Sequence, residues 1–396
     1  MNYRATIRSC YLGIICQAVI VNLTALLFTA LGEQFSLSYT QLGALVLINF
    51  ITQVAVALIF GNLVDRVGFR PFIVTAHIGA AVGFALFAAA PWLPFEPYVV
   101  LVIGTFIFGA AGGFMELLLS PILNAIPSDE KSSAMSILHA FFCFGHIGIA
   151  VGTTLFLFVF GRDAWPIVVV IWLLLPLLNA FLFSRCPIAP AVPVARQSSV
   201  RDALRKPLFL TLVLMILLAG ASELTFSQWA SAFMEEAMGL PKVVGDIAGV
   251  GMFALMMGIG RIAYGIFKQR GVPWLPSQSK LMLMGSALAA GSYVIVAVTH
   301  NPFLGLLACA LCGLGVSLLW PGTLSLSVQA FPRAGTWMFA IMAAAGNIGA
   351  AAGPSTFGVI ADFGGLRMAY MMTAAVPLLS VLILVLFHRV VKGHEV

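Results

Sequence analysis

Two carboxylates stand where carboxylates are seldom tolerated. Glu116 lies inside the apolar run 98–125 and Glu223 inside the run 208–236. A charged side chain at the centre of a bilayer costs at least ~3 kcal/mol, so a group retained there carries protons, binds a solute or ties helices together. Glu116 has no Lys or Arg within two turns on its own helix, and its local alternative is a bond to Ser120. Glu223 shares a helix face with Ser227, and Gln228 and Trp229 follow closely. His139 and His146, seven residues apart, share a face of the run 134–160. At about 10 Å of helical rise they are too far apart to hold one metal ion. His139 reads as a solute contact, with a satisfied structural donor as the alternative; His146 is open between the two.

The remaining candidates are amides and indoles. Asn22, Asn124 and Asn347 lie inside apolar runs, and each serves either a solute or a helix–helix hydrogen bond. Trp229, Trp320 and Trp337 offer flat faces on which the C–H surface of a sugar stacks, while Asn, Gln, Glu and His satisfy hydroxyls. Trp320 precedes Pro321, whose missing N–H frees a backbone carbonyl. Cys309 and Cys312 form a CxxC with no His or second pair, and read as small packing residues. No metal and no cofactor is expected. No nucleophile–base pair stands out, so the chain does not read as an enzyme, and no G-x-x-x-x-G-K-[S/T] loop supports ATP-driven transport.

The elements that position these residues follow from composition. Of 396 residues 61% are apolar and 9% charged, and mean hydropathy is +1.06; soluble domains carry about 25% charged residues. Too few charges remain to solvate the surface, which must face a lipid bilayer. The net charge of +6 does not signal nucleic acid, because the bases sit between apolar runs and form no patch interleaved with aromatics. Twelve runs are long enough to span, near 9–31, 40–60, 72–90, 98–125, 134–160, 165–184, 208–236, 243–267, 280–299, 302–330, 336–360 and 368–388. With the N-terminus in the cytoplasm, 17 of the 20 Lys and Arg fall on the cytoplasmic side, Arg261 among them, and both termini are cytoplasmic. The stretch 185–207, rich in Pro, Ser and Arg, reads as a cytoplasmic linker between an N-terminal six-helix half (1–184) and a C-terminal six-helix half (208–396).

The halves echo each other at an offset of about 200 residues. Gly145-His146-Ile147-Gly148 with Gly152 recurs as Gly346-Asn347-Ile348-Gly349 with Gly353, and Ser120-Pro121 as Trp320-Pro321. Between the second and third runs stands Gly61-Asn62-Leu63-Val64-Asp65-Arg66-Val67-Gly68-Phe69-Arg70-Pro71. It resembles the major facilitator signature G-x-L-x-D-R-x-G-x-R. That resemblance implies a twelve-helix, all-α membrane protein of two pseudo-symmetric halves, with a conformational latch at Gly61, Asp65, Arg66, Gly68 and Arg70. Glu116 with Ser120-Pro121 and Asn124, His139 before Phe141-Phe142 and Gly145, Pro321 with Leu324-Ser325-Leu326, and Gly346 through Asp362 are similar to the fourth, fifth, tenth and eleventh helices of the fucose–proton symporter family. The first helix departs from that family: it has no acidic residue, and offers Gln17, Asn22 and Thr24 at comparable depth.

The expected function is therefore secondary active transport in the plasma membrane of a bacterium, by a multi-pass monomer. The solute is a monosaccharide or similar neutral hydrophilic molecule, taken up with protons through Glu116 and Glu223. Its contacts are Asn22, Glu116, Asn124, His139, Glu223, Gln228, Trp229, Trp320 and Asn347. Neutrality is inferred because no Lys or Arg stands at mid-depth. The competing readings are a proton-driven exporter of amphipathic compounds, which the 31 Phe and 16 Met keep open, and a non-transporting sensor on the same fold.

Overall fold

A chain in lipid must satisfy its own backbone groups, and the α-helix does so within a single segment. The computed structural model describes residues 3–127, 131–189, 200–331, 334 and 336–392, and within these no side chains at 61, 62, 65, 66, 124, 131–136, 200, 269, 336 and 387–392. The described residues form helices joined by short turns, with no strand among them. The first six spans are α1 (Arg4–Leu26) continued by α2 (Phe28–Phe35), α3 (Tyr39–Val67), α4 (Phe69–Ala88), α5 (Pro97–Ala125), α6 (Lys131–Phe160) and α7 (Trp165–Arg185). A short α8 (Val200–Leu204) leads into α9 (Pro207–Ala232), which is the seventh span. The eighth begins with α10 (Lys242–Val244) and a π-helical stretch, Gly245–Gly251, and runs on as α11 (Met252–Gln269). The ninth is α12 (Gln278–Val298), and the tenth joins α13 (Pro302–Val316) to α14 (Leu319–Ala330).

The last two spans share one helical run, α15 (Thr336–Thr373), followed by α16 (Ala375–Lys392). The apolar stretch Trp337–Leu386 is 50 residues long, about 75 Å of helix, more than twice a ~30 Å hydrocarbon core. The break that lets the chain turn back is Gly365, whose backbone is non-helical (φ 78, ψ 169). Twelve spans result among the described residues. Both described ends of the chain lie on one face, called here the terminal face. Large apolar side chains such as Leu58, Phe158, Leu174 and Leu382 are more than half exposed around the bundle, as a lipid-facing surface requires.

Across the two halves α3 packs along α15 and α6 against α11, and α15 also lies along α9. That last contact depends on Gly349, where a Cβ would fall on the carbonyl of Leu217. The face opposite the termini is tied shut between halves. The backbone amides of Tyr39 and Thr40, at the start of α3, donate to the Asp362 carboxylate at 3.1 and 3.0 Å, a placement the helix dipole favours. The Tyr39 hydroxyl donates to Glu236, Arg162 pairs with Glu235, and Thr154 Oγ1 donates to Asp246 Oδ2 at 2.6 Å. Ser355 Oγ adds a bond to the Gly43 carbonyl at 3.2 Å. This conformation is sealed on the opposite face.

Candidate functional site

At mid-depth the seam between halves carries a belt of polar side chains. Asn347 on α15 donates from Nδ2 to Glu116 Oε2 on α5 at 2.6 Å. The two residues are 231 positions apart, so the bond joins the first six spans to the last six. Trp320 lies beside it. A Cβ at Gly346 would run into the Trp320 ring, and one at Gly220 would come within 3.2 Å of it. The indole is thus wedged over glycine faces of α15 and α9, one residue from Asn347.

A second group lies on the other side of the belt. Arg261 of α11 donates from Nη2 to Glu223 Oε2 of α9 at 3.2 Å, and both side chains are about nine-tenths buried. Its Nε donates to the Ser317 carbonyl at 3.0 Å. That carbonyl is free because Pro321, four residues on, has no N–H to give it. Its Nη1 reaches across the seam to Cys143 Sγ of α6 at 3.5 Å. His139, one turn before Cys143, and His146 are within electrostatic reach of the same guanidinium. The sequence reading grouped Arg261 with the bases of the cytoplasmic end, and the structure corrects this. About 12 Å of helix separates its Cα from the end of α11, but the side chain extends inward to meet Glu223.

Beyond the belt, toward the sealed face, Asn22, His146, Ser227, Gln228, Ser231 and Val250 line a narrow crevice. Gln228 Nε2 donates to the Val21 carbonyl at 3.1 Å and lies 3.4 Å from Asn22 Oδ1, while Asn22 Nδ2 donates to the Ala18 carbonyl at 2.9 Å. Both ring nitrogens of His146, Gln228 Oε1 and Ser227 Oγ are buried with no described partner. Buried polar atoms left unpaired cost about 1–3 kcal/mol each, so these four are the atoms of the crevice that a water or a solute would satisfy. Toward the terminal face, Glu116, Ser120, His139 and Trp320 are half-buried.

The structure thus gathers Asn22, Glu116, His139, Glu223, Gln228, Trp320 and Asn347 along one seam. It sets Trp229 apart. That ring is fully buried, stacked on Phe357 at 5.0 Å between Phe28 and Tyr39, and its Nε1 donates to the Pro354 carbonyl at 3.0 Å. Its polar edge is committed to helix packing in this conformation. The Asn124 side chain lies outside the described ones, as do those of Gly61, Asp65 and Arg66. Gly68 (φ 97) makes the turn from α3 to α4. Arg70 donates to the carbonyls of Phe183, Ser184 and Cys186 at 3.0, 2.7 and 2.7 Å, capping the end of α7 within the first six spans. Sequence reasoning missed Arg261 as a site residue, and it missed Asp246. Asp246 is 1% exposed, paired with Lys242, and bonded to Ser231 and Thr154. Its sequence signal was an acid one turn after Lys242 at the mouth of a span.

The sequence pattern of the Major Facilitator Superfamily matches residues 10–338 and 277–396. The chain belongs to that superfamily. Among solved structures it is similar to FucP in the outward conformation, with a TM-score of 0.70 at 17% identity over 98% of this chain and 99% of that one. A second structure of FucP, the fucose:proton symporter of E. coli, gives 0.70 at 18% identity over the same shares. A bacterial homologue of the human lysosomal transporter Spinster, inward-facing and occupied, gives 0.75 at 15% identity over 98% and 97%. At these identities the likeness is one of fold. Members of this superfamily are membrane transporters rather than enzymes, so the seam is read as a transport path for a small molecule.

Proposed function

We propose that the chain takes up a monosaccharide or similar small hydroxyl-rich solute together with protons, by alternating access. The observation that carries this reading is the Glu116–Asn347 bond across the seam at mid-depth. A carboxyl there, half-buried and held among the described residues only by an amide of the other half, is placed to exchange its partner for a proton or a solute hydroxyl as the halves part. His139, Trp320, Gln228 and Asn22 supply further hydroxyl contacts and an indole face, and Glu223 is the second proton carrier. The distribution of Lys and Arg favours a cytoplasmic terminal face, which makes this conformation inward-facing, with 1–184 and 208–396 rocking against each other; the expected linker 185–207 lies partly outside the described residues. The protein is taken as a monomer of the bacterial inner membrane, with the 61–70 turn as its latch. The neutrality expected of the solute rested on an empty mid-depth, and Arg261 removes that ground.

Thermal stabilisation of the purified protein by hexoses, pentoses, polyols and lipophilic cations tests the reading. A ligand at a hundred times its Kd stabilises by ~2.7 kcal/mol. A shift with one or two sugar-class solutes, lost in His139→Ala, is expected. Shifts with lipophilic cations alone overturn the reading in favour of an exporter.

A further inference from the structure

We infer that the transported solute carries a carboxylate that docks on Arg261, displacing Glu223, and that the displaced Glu223 takes up the coupled proton. The inference rests on the transport reading above and narrows its solute from a hydroxylated molecule to a hydroxylated acid.

The first ground is that Arg261 is only partly used. A guanidinium has five N–H donors in a fork that matches a carboxylate two bonds at a time. Here three donors are engaged: one by the Ser317 carbonyl, one by Glu223 and one by the weak acceptor Cys143 Sγ. The carboxylate contact is made through a single oxygen at 3.2 Å, longer than the ~2.7–2.9 Å of a good charge-assisted bond. A buried ion pair kept for stability alone needs near-ideal geometry to offset its desolvation, and this one lacks it. The Nε bond to Ser317, on a carbonyl freed by Pro321, instead anchors the guanidinium and leaves its outer edge to exchange partners.

The second ground is position. Arg261 stands where α6, α9, α11 and the α13–α14 break meet at the seam. Glu223 faces it from α9, and His139, Cys143 and His146 from α6, while Cys312 of α13 lies near Glu223. Next to it is the crevice whose unpaired atoms, the two nitrogens of His146, Gln228 Oε1 and Ser227 Oγ, are suited to hydroxyls. A molecule with a carboxylate at one end and hydroxyls along its length satisfies both parts at once. A neutral sugar leaves the guanidinium to Glu223.

The exchange balances. The solute carboxylate forms the ion pair with Arg261, the Glu223–Arg261 pair breaks, and the freed Glu223 carboxylate binds one proton from the aqueous side. The charge at the site is the same before and after, so the loaded site crosses the midplane with no added charge in the low-dielectric seam.

The test compares matched probes on the full-length protein: D-galacturonate and D-gluconate against D-galactose and D-sorbitol. The acids are expected to stabilise the protein at concentrations where the neutral partners do not. Titration calorimetry in buffers of different ionisation enthalpy should show about one proton taken up per acid bound. Arg261→Gln should weaken acid binding by about 30-fold or more. Glu223→Gln should keep or tighten it while abolishing the proton uptake, a readout that a merely structural pair would not move. Selectivity and proton uptake in the wild type need no variant, so misfolding of Arg261→Gln leaves the test intact. Neutral sugars binding as well as acids, or proton uptake surviving in Glu223→Gln, overturns the inference and leaves the transport reading standing. Binding of none of the four probes, with lipophilic cations stabilising instead, overturns both.

Discussion

Single residues at the seam separate roles that look alike on paper. Glu116 accepts a bond from Asn347, and Gln at 116 still offers a carbonyl to that amide. Glu116→Gln should therefore change stability by less than about 1 kcal/mol, in keeping with the modest worth of bonds inside membranes. It should nonetheless abolish proton-driven accumulation while leaving solute-for-solute exchange in proteoliposomes. Loss of both activities would mean that Glu116 binds the solute rather than the proton. Glu116, Glu223 and Asn347 could be picked out from the sequence because a polar residue in a long apolar run must meet a partner, either another helix or a solute. Arg261 could not. Its depth is set by which way a long side chain points, and its partner lies 38 residues away on another helix. The unpaired nitrogens of His146 were equally hidden, since only the packed neighbours reveal that nothing meets them.

At the scale of elements, the spans follow from hydropathy, and their number and order were legible to within a few residues. Their interruptions were less so. The α13–α14 break was visible only as Pro321, and the π-helical stretches at Phe233–Ala237 and Gly245–Gly251 left no hydropathy signal. Such stretches recur at functional sites; the second contains Asp246, and the first begins two residues after its partner Ser231. Close helix approach was also hidden, because a glycine in a run of small residues looks like its neighbours. Gly349 is the sharpest case, since an added Cβ meets backbone of α9, which cannot rotate away. Gly349→Ala should cost about 1–3 kcal/mol, measured as a lowered melting temperature, whereas Gly148→Ala, with open space around its Cβ, should be close to neutral.

For the whole molecule, the seal on the opposite face sets which conformation is populated. Glu235, Glu236, Asp246 and Asp362 come from the last six spans, and Arg162, Tyr39, Thr40 and Thr154 meet them from the first six. Glu235 and Glu236, at the end of the seventh span, reach across the seam. The combined change Arg162→Ala and Asp362→Asn should shift the population toward the state open on that face. Distances between spin labels on the two halves would report it, lengthening on the opposite face and shortening on the terminal face. No change in either distance would mean that the helix contacts α3–α15 and α6–α11 hold the seal alone.

That division of labour has a consequence for how the two similar halves recognise each other. The glycine motif of α6 recurs in α15, so the two halves present similar helix faces to each other. Yet a first half laid against another first half would bring Arg162, Tyr39 and Thr154 to a surface lacking the four acids they meet here. Two last halves would set Glu235, Glu236 and Asp362 against the same three acids, with Asp246 alone neutralised by Lys242, and like charges brought together cost several kcal/mol. The seal therefore also acts as an identity check on assembly. It makes the unlike pairing the favoured one and penalises the exchange of halves between neighbouring chains in a crowded membrane.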